Sequence, residues 1–91
     1  MNTVLVTFDF SSNANNSKLA IDLRATLETL PNTKWFQHLP SEVILVTPLS
    51  TSEIFETLKA DTRNIRIFIC DISNAVTNSH RTTDWLSQNS D

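Results

Sequence analysis

Asp9 is the side chain best suited to metal or phosphate chemistry, because it directly follows the apolar stretch from Val4 to Phe8 and precedes a polar stretch at 11–16. A carboxylate at the end of a buried strand can hold a hard cation such as Mg²⁺, whose octahedral shell accepts one or two carboxylates plus water. The alternative is that Asp9 caps the polar stretch through backbone hydrogen bonds. Asp9 is therefore the candidate metal ligand and the first candidate catalytic residue.

Two other residue types bear on catalysis. His38 and His80 are the only histidines, and His38 is a candidate proton carrier because imidazole titrates near neutral pH. The alternative is a solvated residue on an edge strand. Cys70, the single cysteine, excludes a disulfide and a thiolate metal cluster within one chain, and we expect it to be a small core residue.

The basic residues give a weak signal for nucleic acid. Lys18, Arg63 and Arg66 are candidate phosphate contacts, but ten acidic against seven basic residues give a net charge of −3. That charge argues against avid, unspecific nucleic-acid binding, and the basic groups are also explained as part of a solvated face. The chain has no glycine, which excludes the glycine-dependent phosphate loops and requires Asn, Asp, Ser and Pro in tight turns.

These residues are carried by alternating strands and helices. The apolar pattern predicts, in order, a strand at 3–10, a helix capped by Ser17 and closed by Pro31-Asn32, strands at 34–39 and 42–47, a helix with a Ser50–Glu53 capping box, and a strand at 65–72. Right-handed crossovers then give an α+β, ferredoxin-like βαββαβ fold with an antiparallel sheet in the order 4-1-3-2. In that order Asp9 lies at the same edge of the sheet as the hairpin from His38 to Glu42, and Asp71 lies at the opposite edge.

The length of 91 residues predicts one domain spanning 1–91. Residues 73–91 are predicted to form a polar C-terminal segment, in which Trp85 and Leu86 are an apolar pair within a terminal turn. The N-terminus has no signal-peptide pattern, and no apolar run approaches the ~20 residues that span a bilayer. We expect a soluble, cytoplasmic protein with no membrane partner.

One face of the predicted sheet has no helix to cover it. Both helices pack on the other face, and several large apolar side chains are expected to project from the uncovered one: Leu5, Ile44, Val46 and Phe68. An apolar patch of this size is typical of an interface. We therefore predict a homodimer formed through this face.

Several segments resemble those of the SinR-like small proteins: VLVTFDFS, TKWFQHLPSEVILVT, STSEIFETL, IRIFICDI and the terminal DWLS. These proteins are grouped with the CRISPR-associated small endoribonuclease and spacer-acquisition superfamily, to which the virulence-associated protein D toxins also belong. The resemblance covers nearly the whole chain. It implies a ferredoxin-like homodimer whose C-terminal segment, with Trp85, packs on the partner subunit.

The resemblance also implies a chemistry. In the catalytic members an aspartate that ends the first strand binds Mg²⁺ at the dimer interface and supports phosphodiester cleavage, and Asp9 in FDFS matches it. Two copies of Asp9 would then flank one metal ion in a Mg²⁺-dependent endoribonuclease or nucleic-acid processing protein, with RNA or DNA as its partner. The alternative is a non-catalytic acidic protein on the same scaffold. It would be an antitoxin, a defence-system accessory or an inhibitor of a nucleic-acid-binding protein.

Overall fold

The computed structural model describes residues 1–8, 14–59 and 66–89, and for residues 14–20 the backbone alone. This part of the chain is an α+β structure with four strands and three helices. Its elements are β1 (Asn2–Phe8), α1 (Ala14–Glu28), β2 (Lys34–Leu39), β3 (Glu42–Thr47), α2 (Thr51–Leu58), β4 (Ile67–Asp71) and α3 (His80–Asn89). A search of the described helices found none with the length and apolar character needed to cross a membrane.

The four strands form one antiparallel sheet in the order β2-β3-β1-β4. This is the predicted order, read from the other edge. β1 and β3 are central because both of their faces are largely apolar, which suits strands that are covered on two sides. β2 carries three polar residues in six and lies at an edge, as expected.

The hydrophobic core lies between one face of the sheet and the helices α1 and α2, as predicted. Each layer contributes side chains that are almost fully buried: Val4, Val6, Phe8, Val43 and Leu45 from the sheet, and Leu23, Leu27, Ile54 and Leu58 from the helices. Burial of one such side chain contributes about 1.5–3 kcal/mol. We call this face of the sheet the helical face and the opposite one the second face.

The two helix starts differ in how well they were predicted. α2 has the expected capping box: Glu53 N–H donates to Ser50 Oγ at 3.1 Å, and Ser50 N–H donates to Glu53 Oε1 at 3.1 Å. α1 begins at Ala14, so the prediction of Ser17 as its N-cap is wrong. Ser17 lies inside the helix, which starts four residues before Lys18, the first helical residue that a cap at Ser17 predicts.

Asparagine takes the positions that glycine would otherwise occupy. Among the described residues, the positive φ angles are those of Asn32 at 53° and Asn74 at 58°. Asparagine tolerates this left-handed conformation better than other residues that carry a Cβ. Asn32 reverses the chain between α1 and β2, as the Pro31-Asn32 signal predicted.

α3 was not predicted as a helix. The sequence predicts a polar segment at 73–91 with Trp85 and Leu86 in a terminal turn, but the chain is helical from His80 to Asn89. The Trp85 ring stacks on Phe36 of β2, with the ring centroids 5.5 Å apart, and the Arg81 guanidinium lies over the same Phe36 ring. Phe36 pairs with Ile44 in the sheet, so α3 packs on the second face.

Candidate functional site

The end of β1 lies beside the hairpin that joins β2 to β3. The Phe8 N–H donates to the Ser41 carbonyl oxygen at 3.0 Å, Thr7 pairs with Glu42, and Phe8 pairs with Ile67. We call this end of the strands the hairpin edge of the sheet, which is distinct from the edge strand β2. The sequence analysis predicts the candidate site residues Asp9 and His38 at this end. Asp71 pairs with Val4, at the far end of β4, as predicted.

Several expected site residues lie outside what the structure describes. Asp9 and Arg63 fall outside the described residues, and Lys18 lies in the part of α1 whose side chains are not described. Arg66 is described and is exposed to solvent directly before β4. In the described ranges, no group of three or more His, Cys, Asp or Glu side chains is placed to hold a metal ion.

His38 lies at an irregularity of the sheet. The ladder pairs Gln37 with Val43 and Leu39 with Glu42, so His38 is an extra residue in β2. Bulges of this kind re-aim a side chain and are common beside active sites. Here the side chain is half-buried on the second face, and its Nδ1 lies 2.7 Å from Oγ1 of Thr82 on α3.

Thr82 is a site residue that sequence reasoning missed. It is 2 % exposed, and its Oγ1 also hydrogen-bonds with Ser79 Oγ at 3.1 Å. Ser79 precedes α3 and accepts the Thr82 N–H at 3.3 Å through the same Oγ. Serine is a preferred N-cap residue, so Ser79 is a feature of this polar segment that could have indicated a helix start, although Thr82 does not complete a capping box.

His38 and Glu42 line a cavity of about 210 Å³ between the sheet and α3. Most of its other walls are apolar: Leu5, Ile44, Ile72, Ala75, Val76 and Leu86, with the hydroxyls of Thr77 and Thr82. Because Glu42 pairs with Thr7, this end of the cavity lies at the hairpin edge, whereas Ile72, whose N–H donates to the Thr3 carbonyl oxygen, lines it toward the start of β1. The arrangement offers one imidazole and one carboxylate within a largely apolar depression, a combination suited to proton transfer.

The second face is more covered than the sequence indicated. Leu5, Ile44, Val46 and Phe68 do share this face, because Leu5 pairs with Ile44, Thr3 with Val46 and Thr7 with Phe68. Ile44 is only 4 % exposed and Val46 only 2 %, on the face where α3 packs. The expectation that these two form an open patch is therefore wrong.

Phe68 remains 64 % exposed, and Leu5 is half-buried. Trp85 is also half-buried, and its ring packs on Phe36 of its own chain. Among the sheet residues on this face, Phe68 is therefore the most exposed apolar side chain, and Val76, in the loop that lines the cavity, is also exposed.

Comparisons of the chain with protein-family models, with curated proteins and with solved structures found no match. A function must therefore be argued from the fold, the site and the sequence motifs.

Proposed function

We propose that the protein is a ferredoxin-like homodimer that cleaves RNA phosphodiester bonds with Mg²⁺, as the resemblance to the SinR-like and CRISPR-associated small endoribonucleases implies. The main observation in support of the proposal is the position of the end of β1 relative to His38 and Glu42. This central strand ends at the hairpin edge beside His38 and Glu42, and Asp9 is the next residue in the sequence after Phe8.

Mg²⁺ would be bound by Asp9. As the resemblance implies, Asp9 from two copies of the chain would flank the ion, with water completing an octahedral shell. When bound there, the ion would neutralise charge on the phosphate oxygens.

The dimer is proposed to form through the uncovered part of the second face. Phe68 is the most exposed large side chain on this part of the sheet, and it pairs with Thr7, two positions before Asp9. A two-fold contact centred on Phe68 would bring the β1 ends of both copies toward each other. The same contact would cover Phe68 and the open part of Leu5.

His38 is proposed as the proton carrier. In hydrolysis a water oxygen bonds to phosphorus, the bond from phosphorus to the leaving oxygen breaks, and a proton lost by the water must end on the leaving oxygen. An imidazole accepts and returns a proton near neutral pH. Arg66, exposed at the start of β4, together with Lys18 and Arg63, is proposed to contact the phosphates of the substrate.

Incubation of the purified protein with single-stranded RNA and Mg²⁺ tests the proposal. Asp9→Asn should reduce cleavage by at least about 100-fold, since loss of a direct ligand costs more than loss of an outer-shell partner. Asp71→Asn is the matched control because Asp71 is an exposed carboxylate at the opposite end of the sheet, and it should cleave as the wild type does. Equal traces of activity in wild type and Asp9→Asn would refute the nuclease.

A second candidate is a non-catalytic acidic protein that binds a basic, nucleic-acid-binding partner. The specific observation in its favour is the net charge of −3, which complements a basic partner. Under this hypothesis Asp9→Asn leaves partner binding intact and Phe68→Lys weakens it. Under the nuclease hypothesis Asp9→Asn abolishes cleavage.

A further inference from the structure

β4 is an edge strand, and half of its backbone groups point away from the sheet. The Ile72 N–H donates to the Thr3 carbonyl oxygen at 2.8 Å, which fixes the alternation of bonded and non-bonded pairs along the antiparallel ladder between β4 and β1. Alternate residues of β4 therefore direct their N–H and C=O groups outward: Ile67, Ile69 and Asp71. No strand within the described ranges pairs with this outer side, which we call the β4 edge.

The two edge strands of the sheet differ in how they are protected against further pairing. β2 begins with Lys34, contains the bulge at His38 and is followed directly by Pro40. Lysine, bulges and proline are devices by which proteins block an exposed strand edge. β4 pairs with β1 in an unbroken register and contains neither lysine nor proline. The β4 edge therefore has the features of a strand that can accept another extended segment.

A depression beside the β4 edge can receive a side chain of such a segment. It has a volume of about 290 Å³ and lies between α2 and β4. Its apolar wall is formed by Phe55, which is 43 % exposed, and by the half-buried Ile69, and the remaining wall by Thr51, Ser52 and Glu56. Because Ile69 is one of the outward-bonding residues, a strand paired with β4 would place a side chain at this depression.

The charges around the β4 edge determine what kind of segment fits. Asp71 is exposed and lies on the same face of β4 as Ile69, two residues before it. Glu56 contacts Lys59 Nζ at 3.4 Å in an exposed ion pair, a weak contact that a second cation can replace. These two carboxylates and the net charge of −3 favour a basic segment. Arg66 lies before the other end of β4, so the basic residue belongs at the Asp71 end.

We infer that the β4 edge binds an extended segment of a partner protein, antiparallel to β4, with a basic side chain opposite Asp71 and an apolar one opposite Ile69. Backbone hydrogen bonds to the outward groups supply affinity, and the depression beside Phe55 selects the side chain. A second copy of the chain fits less well, because a two-fold axis at Ile69 would bring the two Glu56 carboxylates together. The contact uses the backbone and the helical face, so it is independent of the proposed nuclease and of the dimer proposed through Phe68.

NMR of the full chain, titrated with the acetylated and amidated peptide KTITI, tests the inference. In the antiparallel arrangement its lysine lies opposite Asp71 and its first isoleucine opposite Ile69. At saturation the amide hydrogens of Ile69 and Asp71 should exchange at least about 10-fold more slowly, whereas those of Phe68 and Cys70, which already bond to β1, should slow much less. The peptide KTPTI lacks the N–H opposite Ile69 and should not bind, and ETITI should bind about 5-fold more weakly.

Variants of the depression test the side-chain contact. Phe55→Ala should weaken binding of KTITI about 10-fold, whereas Ile21→Ala, at a 60 % exposed position on α1, is the matched control and should bind as the wild type does. Unchanged β4 amides at millimolar peptide, or equal binding of KTPTI, would overturn the inference. Slow exchange of Ile69 and Asp71 without peptide, increasing with protein concentration, would overturn it in favour of a second copy. Peptide binding by a protein without nuclease activity would refute only the proposed function.

Discussion

Single residues decide how a chain without glycine makes its turns. Asn32 and Asn74 occupy the left-handed region with φ angles of 53° and 58°, and at Asn32 this conformation lets β2 begin within a few residues of the end of α1. A residue with a Cβ pays about 1–2 kcal/mol in this region, and asparagine offsets part of that cost through local hydrogen bonding of its side chain.

The backbone at Asn32 predicts a specific pattern of substitution. Asn32→Ala should lower the free energy of unfolding by about 1 kcal/mol, because alanine has no polar side chain to support positive φ. Asn32→Gly should stay within about 0.5 kcal/mol of the wild type or exceed it, since glycine adopts this φ freely. Urea unfolding measures both, with Asn78→Ala, an exposed position in the loop before α3, as the control. Equal stability of the Ala and Gly variants would contradict the backbone explanation.

At the scale of elements, α3 covers part of the second face, so that apolar side chains there are buried within a single chain. The helix docks through the stacking of Trp85 on Phe36 and through the hydrogen bond of Thr82 to His38. Ile44 and Val46 are thereby part of a single-chain core. α3 thus stabilises the sheet and positions the histidine at the hairpin edge with the same few contacts.

Removing the aromatic contact should release the helix. Trp85→Ala loses the stacked pair, which is worth about 0.5–1.5 kcal/mol beyond the buried area, so we expect the amide hydrogens of 80–89 to exchange with solvent faster while those of β1 and β3 stay protected. Asp84→Ala, at an exposed position on the same helix, should leave the exchange rates unchanged. Uniform acceleration across the sheet would show instead that α3 and the sheet unfold as one unit.

The sheet could be predicted from the sequence, but α3 could not. β1 and β3 are apolar on both faces and β2 is not, and this difference between strands specifies which of them lie in the centre. α3 carries a polar sequence, HRTTDWLSQN, whose helix propensity is low; its stability comes from Phe36 and His38, which lie more than 40 residues earlier in the chain. The contact between His38 and Thr82 could not be predicted either, because it is a long-range contact between β2 and α3 and no local sequence pattern indicates that these elements pack together.

At the scale of the whole molecule, we propose that a second copy of the chain binds at the exposed apolar surface around Phe68. Phe68 is 64 % exposed on the second face, and its pairing with Thr7 places it near the strand end that precedes Asp9. A contact through Phe68 would therefore link the dimer to the proposed metal site, so that loss of the dimer should also mean loss of the metal ion. Ile21 is also an exposed apolar residue, but it lies on α1 and is no part of the second face.

The number of Mg²⁺ ions bound per chain, measured by calorimetric titration with the molar mass followed by light scattering, tests the central claim most directly. We predict one ion for every two chains and a mass twice the 10.3 kDa of the chain. Asp9→Asn should lose the ion and keep the dimer, Phe68→Lys should lose both, and Ile21→Lys should keep both. A monomer that binds Mg²⁺ with undiminished affinity after Asp9→Asn would contradict the account.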